Sequence, residues 1–499
     1  MRTLKLALAA VAALAFNANA QTTTGPHGMG APPTGFYQPA WTTGALNATM
    51  DSNNISFHAG GVAACDGCHV MHNANGGAAK STNNGAGEPA WSNHANAYLL
   101  QGSDQSSTCL ICHGDPLPKA GAPTDNQFVV ADLSGGTSAS QRTPGGDFGW
   151  TRISFNGAGS NAALVSTGDM HGHNVSAKDF GWLTDTRFTR APGGTFTTMG
   201  TTPNGLGNFA CSSCHDPHGR YRIEVAGTCG AGTNTNGVQI CSPSDSPLRP
   251  IATSGSYGAM PAAEYATGVY RLLAGKNYEP ASKTGYPFIA DPPVAIAPKN
   301  YNRSEATHEV RVQYGTGMSE WCKNCHPDVH MESYATGWSG QRHPAASNAY
   351  LHQSQYVVYN TYLSTGNYQG ASGAYTSLVP FEQGNGAALT PTALAGQTGN
   401  PTTDGANLVA GDTTNVMCLS CHRAHASAFD SMIRWDQNAT FLTDGAGQFT
   451  DGLYTRGAGV TAAGYYGRTV SATAAGVTNT GTVLGPYQRS LCNKCHGKD

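Results

Sequence analysis

Six copies of Cys-x-x-Cys-His punctuate the chain: Cys65/Cys68/His69, Cys109/Cys112/His113, Cys211/Cys214/His215, Cys322/Cys325/His326, Cys418/Cys421/His422 and Cys492/Cys495/His496. This pattern is the covalent attachment site of a c-type haem. Two thiols three positions apart share one turn, so both can form thioethers with the vinyl groups on one edge of a porphyrin. The adjacent His then falls beneath the iron as its proximal ligand. The composition would yield roughly 0.01 copies by chance, which leaves no room for accident. Zinc sites pair one Cys-x-x-Cys with a second pair, or with two His at short spacing. Here the successive first Cys are 44, 102, 111, 96 and 74 residues apart, which offers no such pairing. A thioredoxin-like redox site would occur once, beside a βαβ pattern. Six covalent haem c groups, each with its iron, are therefore expected.

The second axial ligand decides what a haem can do. With His on both faces the iron is closed and only carries electrons; with one face open it can bind and transform a small molecule. Beyond the six proximal His, twelve remain. His72, His218 and His425 each follow a proximal His by three residues, and His330 follows His326 by four. So placed, a His cannot readily cross its own ring, but it can reach a haem stacked beside it. His58 precedes the first motif and can fold back through Gly60 and Gly61. His173 and His343 sit in the turn-rich contexts Gly172-His173-Asn174 and Arg342-His343-Pro344. These seven are the expected distal ligands. His94 and His308 come next, and a surface position is expected for His27, His94, His171, His308 and His352. Met71 or Met331 would be minor alternatives that raise the potential.

What must position these groups is an unusual polypeptide. Charged residues make up only 11% of it, 64 of the 499 residues are Gly, and turn-forming residues are everywhere. Such a chain builds a poor conventional core, so the haems themselves are expected to form it, with small residues letting backbone and porphyrin approach. The expected fold is a mostly irregular multihaem cytochrome with a few short α-helices and little β structure. Short helical turns should carry the haem motifs. Packing helices are expected over about Pro261–Ala274, ending at Gly275, and over about Asn348–Leu363, with Ser347 as cap. Residues 114–147 and 384–413 read as loops.

Residues 1–20 read as a secretory signal: Arg2 and Lys5, the apolar run Leu6 to Phe16, then Ala18-Asn19-Ala20 before the cut. Residues 21–57 form a low-complexity extension rich in Pro, Gly, Thr and Asn, and residues 58–499 a single haem-bearing unit. No later stretch is long and apolar enough to span a membrane. Loss of the signal takes the formal net charge from −3 to −5, and haem propionates add to it, which argues against a nucleic-acid partner. Cys229 and Cys241 lie outside the motifs. In an oxidising compartment they are expected to form a disulfide closing a small loop.

Several blocks go well beyond the haem motifs: Phe57 to Asn73, Thr143 to Trp150, Cys211 to Arg222, Gly317 to His330, Cys418 to Met432, Ala463 to Arg468 and Tyr487 to Asp499. In these the chain resembles the outer-surface hexahaem cytochromes of dissimilatory metal-reducing bacteria, a family that polymerises into extracellular nanowires. The resemblance spans nearly all of the chain from His58 onward. It implies six bis-His haems in alternating stacked and T-shaped pairs, running end to end. It also implies that one distal His, at the position of His72, is donated to a haem of the neighbouring subunit. All seven expected distal His fall in family-like segments, so one of them should be a non-ligand. The N-terminal extension and the stretch holding Cys229 and Cys241 depart from the family pattern.

The leading expectation is thus a homopolymer carrying electrons to extracellular acceptors such as metal oxides. It would be fed by other multihaem cytochromes or an outer-membrane electron conduit, and would reach the outer surface through the periplasm. The alternatives are a monomeric periplasmic or cell-surface shuttle, or a multihaem reductase with one open haem. The reductase would need an open iron and usually an irregular motif, whereas all six motifs here are regular.

Overall fold

The structure is a computed structural model. It describes residues 68–69, 74–75, 78–79, 97–115, 129–139, 145–185, 187, 191, 209–217, 223–225, 248–250, 265–266, 273–283, 285–293, 295–298, 313–327, 329, 345–347, 349, 380–383, 414–446, 448–466, 472–474 and 477–479. The expectations for the signal, the extension and the Cys229–Cys241 pair lie outside these residues. So do those for Cys65 of the first motif and for the whole sixth motif, Cys492, Cys495 and His496. The same holds for His27, His58, His72, His94, His218, His308, His330, His343 and His352.

Most of the described chain is irregular, as its turn-rich composition predicts. Helices are short: α1 (Gln105–His113), α2 (Met318–Cys322), α3 (Cys418–Cys421) and α4 (Ala458–Tyr466). Asp104 caps α1 by accepting the Ser107 amide at 2.7 Å, and Gly114 closes it. None of the described helices is long and apolar enough to cross a membrane.

Strands are two to four residues long. A parallel pair joins β1 (Gly114–Asp115) to β2 (Ala131–Asp132), and an antiparallel pair joins β3 (Phe155–Asn156) to β4 (Val165–Ser166). A five-stranded arrangement draws on distant segments: β5 (Tyr265–Ala266), β6 (Ala295–Pro298), β7 (Gln313–Gly315), β8 (Glu382–Gln383) and β9 (Thr414–Asn415), in spatial order 9-8-7-6-5. Its β7–β8 pairing is parallel, with Tyr314 opposite Glu382; the others are antiparallel.

The helix expected over Pro261–Ala274 is not found where the chain is described. Tyr265–Ala266 is β5, paired with Ala297–Pro298, and Leu273 pairs its backbone with His215. Tertiary backbone pairing overrides the local helical pattern here. For Asn348–Leu363, Ala349 is buried and non-helical, and its carbonyl accepts the Val416 amide at 3.0 Å. The rest of that segment lies outside the described residues. The Ser347 amide and hydroxyl both donate to Glu320 Oε1, at 2.8 and 2.9 Å.

Three apolar clusters brace the motifs. The largest gathers Trp150, Phe155, Phe429, Trp435, Phe449 and Tyr465. Within it, buried Arg456 pairs with Asp436 at 2.8 Å and lies over the rings of Phe155, Phe429 and Tyr454 at 5.0–5.1 Å. A buried pair of this kind needs such full compensation to be tolerated. The second cluster joins Leu110 of α1 to Phe148, Val175 and Trp182. The third joins Met318 of α2 to Leu273, Tyr314 and Met417.

Candidate haem-binding site

Each of the third, fourth and fifth motifs is wound into one turn. The His amide donates to the carbonyl of the first Cys at 3.0 Å in His215–Cys211, and at 2.9 Å in both His326–Cys322 and His422–Cys418. The second motif forms the C-terminal turn of α1, which places the backbone of Cys112 between Cys109 and His113; the Cys112 side chain is outside the described part. In motifs three to five the two Cys and the His share one face, since residues three and four apart are neighbours on a helical turn. That is the arrangement two thioethers and an axial imidazole require. Of the first motif, Cys68 and His69 are described and Cys65 is not. Cys492, Cys495 and His496 of the sixth motif lie outside the described residues, so the haem expected there stands on the sequence pattern.

The motifs are coupled in pairs. The thiols of Cys109 and Cys211 lie within hydrogen-bonding reach of each other, and so do those of Cys322 and Cys418. Equivalent hydroxyls hold each pair. Ser106, three residues before Cys109, accepts the Cys211 amide at 3.2 Å; Ser319, three before Cys322, accepts the Cys418 amide at 3.2 Å. Ser213 and Ser420, two residues into their own motifs, accept the amides of Ala210 and Met417 at 3.0 and 3.1 Å. The second-to-third and fourth-to-fifth junctions are therefore copies of one design. Sequence reasoning does not single out these serines, although Ser-x-x-Cys-x-x-Cys-His in motifs two and four is visible in the sequence.

Between these pairs, the described distal candidates meet proximal His of other motifs. The ring centroids of His173 and His326 are 6.2 Å apart, and those of His215 and His425 are 6.4 Å apart. A His nitrogen binds a first-row transition metal at about 2 Å, so one iron with an imidazole on each face spans roughly 6 Å between ring centres. Both gaps thus accommodate an iron. Burial, then the His326 charge, drives the His173 pKa down to about 4; burial, then His215, drives His425 down to about 3. Both imidazoles are held neutral with a lone pair to offer, the form that binds metal. His173 Nδ1 lies 2.8 Å from the Ala424 carbonyl, which fixes that nitrogen as the donor and leaves Nε2 free. His425 stacks on Phe148 at 4.6 Å and packs against Gly145, where a Cβ would come within 3.1 Å of Nδ1. Among the described residues that Nδ1 has no partner of normal hydrogen-bond geometry, and the Gly146 backbone only partly opposes the burial.

The two distal candidates are one mechanical unit. The His173 amide donates to the His425 carbonyl at 3.0 Å, Ser427 to His171 at 2.9 Å, and His425 to Gly145 at 2.7 Å. Ala426 bridges Gly146 on one side and Gly172 on the other. Phe148 is held in turn by Asp147, whose Oδ1 accepts the amides of Asp132 and Gly149, each at 2.7 Å. Electrostatically, His425 senses His215, His173 and His113, while His173 senses His326 and His422. Motifs two to five thus follow one another in sequence order.

His171 was expected at the surface and is instead fully buried. Its Nδ1 lies 3.0 Å from the Trp150 carbonyl, and its Nε2 lies 2.7 Å from Ser166 Oγ and 3.5 Å from Asp430. Both nitrogens are occupied, which makes it a structural His. Burial tends to raise the Asp430 pKa, but the bonds from His171 and Ser166 prevail and hold it low.

Set against known proteins, the chain is 41% identical over 464 residues to the C-type cytochrome OmcS of Geobacter sulfurreducens, covering 89% of this chain and 95% of that relative. No family model matches. Two solved structures from the same organism superpose along their full length on 89% of the chain. They are the OmcS nanowires seen by cryo-electron microscopy (TM-score 0.65, 36% identity) and the outer membrane cytochrome S filament (TM-score 0.66, 38% identity).

Proposed function

Because this chain belongs to the family of the C-type cytochrome OmcS, we propose that it is a polymerising hexahaem cytochrome that carries electrons along a chain of bis-His haems to extracellular acceptors. The observation that carries this reading is the pair of His–His gaps, 6.2 Å at His173–His326 and 6.4 Å at His215–His425. His173 is the distal ligand of the fourth motif's haem and His425 that of the third's. With His215 and His425 on one iron and His326 and His173 on another, both irons would be closed on both faces, so these haems would exchange electrons and offer no substrate position.

The remaining distal ligands come from His58, His72, His218, His330 and His343. His72 crosses to a neighbouring subunit; with seven candidates for six irons, one of the seven is a non-ligand. Cys492, Cys495 and His496 would hold the sixth haem, and Cys65 and Cys112 would complete the thioethers of the first and second. Export through the periplasm places the filament at the outer surface, where other multihaem cytochromes or an outer-membrane conduit feed it and metal oxides drain it. Bound haem c supplies one-electron chemistry. The chain would contribute the ligand lone pairs and the spacing of the irons.

The test is the ferric spectrum of the holoprotein and of His173→Ala and His425→Ala. The wild type is expected to be low-spin throughout. Each variant should gain one haem's worth of high-spin iron and a raised potential for that haem. High-spin iron in the wild type would favour the open-haem reductase. Variants that stay wholly low-spin would reject the two assignments. Wild-type protein that stays monomeric by light scattering would favour the shuttle.

A further inference from the structure

The first and fifth motifs share a device that no function has yet been given. At the first, the Gln101 amide donates to the Cys68 carbonyl at 2.8 Å, His69 pairs antiparallel with Leu100, and His69 Nδ1 lies 2.8 Å from the Tyr98 carbonyl. At the fifth, Arg434 donates to Cys421 at 2.9 Å, His422 pairs with Ile433, and His422 Nδ1 lies 2.8 Å from the Ser431 carbonyl. The returning strand differs in sequence and arrives after a different interval, yet the bonds match one for one. The third motif shows the same pairing, with Ala274 on Cys214 at 2.9 Å and Leu273 opposite His215. The positions that would complete the device there lie outside the described residues.

In both complete copies, the residue giving the carbonyl and the one after it are left-handed. The φ angles are 59° and 56° at Tyr98 and Leu99, and 59° and 58° at Ser431 and Met432. Among the described residues, Asn277 is the other non-glycine with positive φ. An L-residue in this region costs about 1–2 kcal/mol, so two in a row are rare without a function. Side-chain burial does not explain them: Tyr98 is 79% exposed, Leu99 is 38% exposed, and Ser431 is exposed. What the two turns have in common is a carbonyl aimed at a proximal imidazole.

We propose that Tyr98–Leu99 and Ser431–Met432 are positioning residues, paired left-handed clips that hold a backbone carbonyl on Nδ1 of His69 and His422 and thereby fix the ring plane and lower the potential of those two haems. The inference rests on these His being proximal haem ligands. An Nδ1–H donated to a carbonyl fixes the tautomer, leaves Nε2 for the iron and makes the imidazole a stronger donor. A stronger axial donor favours ferric over ferrous iron. The clip thus sets electronic properties through backbone conformation, a route open even where side chains face solvent.

The experiment substitutes the second residue of each clip in the holoprotein. Met432→Pro and Leu99→Pro cannot adopt positive φ, because the ring holds φ near −65°. Met432→Gly and Leu99→Gly adopt it freely and serve as the rescue. Haem content is confirmed by intact mass, then potentials are followed by spectroelectrochemistry and ligand geometry by low-temperature electron paramagnetic resonance. Each Pro variant is expected to move one haem's amplitude away from the low-potential end of the titration and to change one set of low-spin g values. Each Gly variant should keep both near wild type. Should a Pro variant fail to mature, Met432→Val, whose branched side chain resists this conformation, should give the same change to a smaller degree. Unchanged potentials and g values with full haem content would overturn the clip alone, as would Gly variants that shift as far as Pro. Wild-type protein whose mass lacks haem at Cys68 or Cys421 would instead strike the ligand reading beneath it.

Discussion

Gly172 precedes His173, lies against the His425 backbone and has no space for a side chain. A Cβ there would lie 2.5 Å from Ala426 Cβ, 2.6 Å from the His425 carbonyl and 2.8 Å from Thr151 Cγ2. Two of these neighbours are buried and the third is backbone, so none can swing aside. Gly172→Ala should therefore cost about 1–3 kcal/mol, the usual penalty of overpacking. Because the strain falls on the hydrogen bond linking His173 to His425, it should also perturb the haems of the third and fourth motifs together. A lowered thermal midpoint with two haems shifted in a potentiometric titration is the expected result; a shift confined to one haem would mean that the imidazoles move independently. At this scale the approach of the candidate imidazoles was partly legible. His425 stood out by its spacing from His422 and His173 by its turn-rich Gly172-His173-Asn174 context, and the fold brings them near His215 and His326. Depth was not legible. Nothing adjacent to His171 tells of Ser166 and Asp430, which bury it from 5 and 259 positions away. The carbonyls of Tyr98 and Ser431 were equally hidden, since backbone conformation leaves no mark on residue type when neither residue is Gly.

At the level of elements, the five-stranded arrangement does electrostatic work at the fourth motif. Glu382 of β8 is buried, and its Oε2 accepts the amides of Gly317 and Met318, both at 3.3 Å, at the start of α2. Burial first, then the charge of Glu320, raises its pKa from 4.5 to about 8, against the pull of the two amides. The folded protein holds this proton up to about pH 8, whereas the unfolded chain releases it near 4.5. Stability from this group is thus fully present below pH 4.5 and is lost as pH climbs through that window, by on the order of a few kcal/mol. Glu382→Gln keeps an acceptor for the two amides but cannot ionise. Its thermal midpoint should change less than that of the wild type between about pH 5 and 8; parallel profiles would show that Glu382 is already ionised in the folded state. The sequence foretold the one-turn motifs, whose geometry is local. It did not foretell β8, because a two-residue strand held by Tyr314 and Asn415 has no periodicity to read. The helix expected over Pro261–Ala274 failed for the related reason that β6 and His215 claim its backbone.

Across the whole molecule, the alternation of junctions has a consequence for assembly. Motifs two and three touch through Cys109 and Cys211, four and five through Cys322 and Cys418. Three and four are joined by the linked imidazoles of His173 and His425. On the proposed reading this order continues outward to one end of the relay at the first motif and another at the sixth. A relay with free ends conducts over long distances only if the ends of successive subunits meet. His72 follows His69 by three residues, the same offset at which His425 follows His422 and comes beside His215 of a different motif. On the proposed reading, and as the resemblance to the nanowire cytochromes implies, the haem that His72 reaches belongs to the next subunit. His72→Ala should consequently uncouple assembly from folding. The variant is expected to acquire its full haem complement and to stay monomeric by light scattering and electron microscopy, with one haem's worth of high-spin iron that free imidazole restores to low spin. Filaments of normal length from His72→Ala would show that the subunits join by another contact. A monomer that stays wholly low-spin would mean that His72 shapes the interface without touching iron.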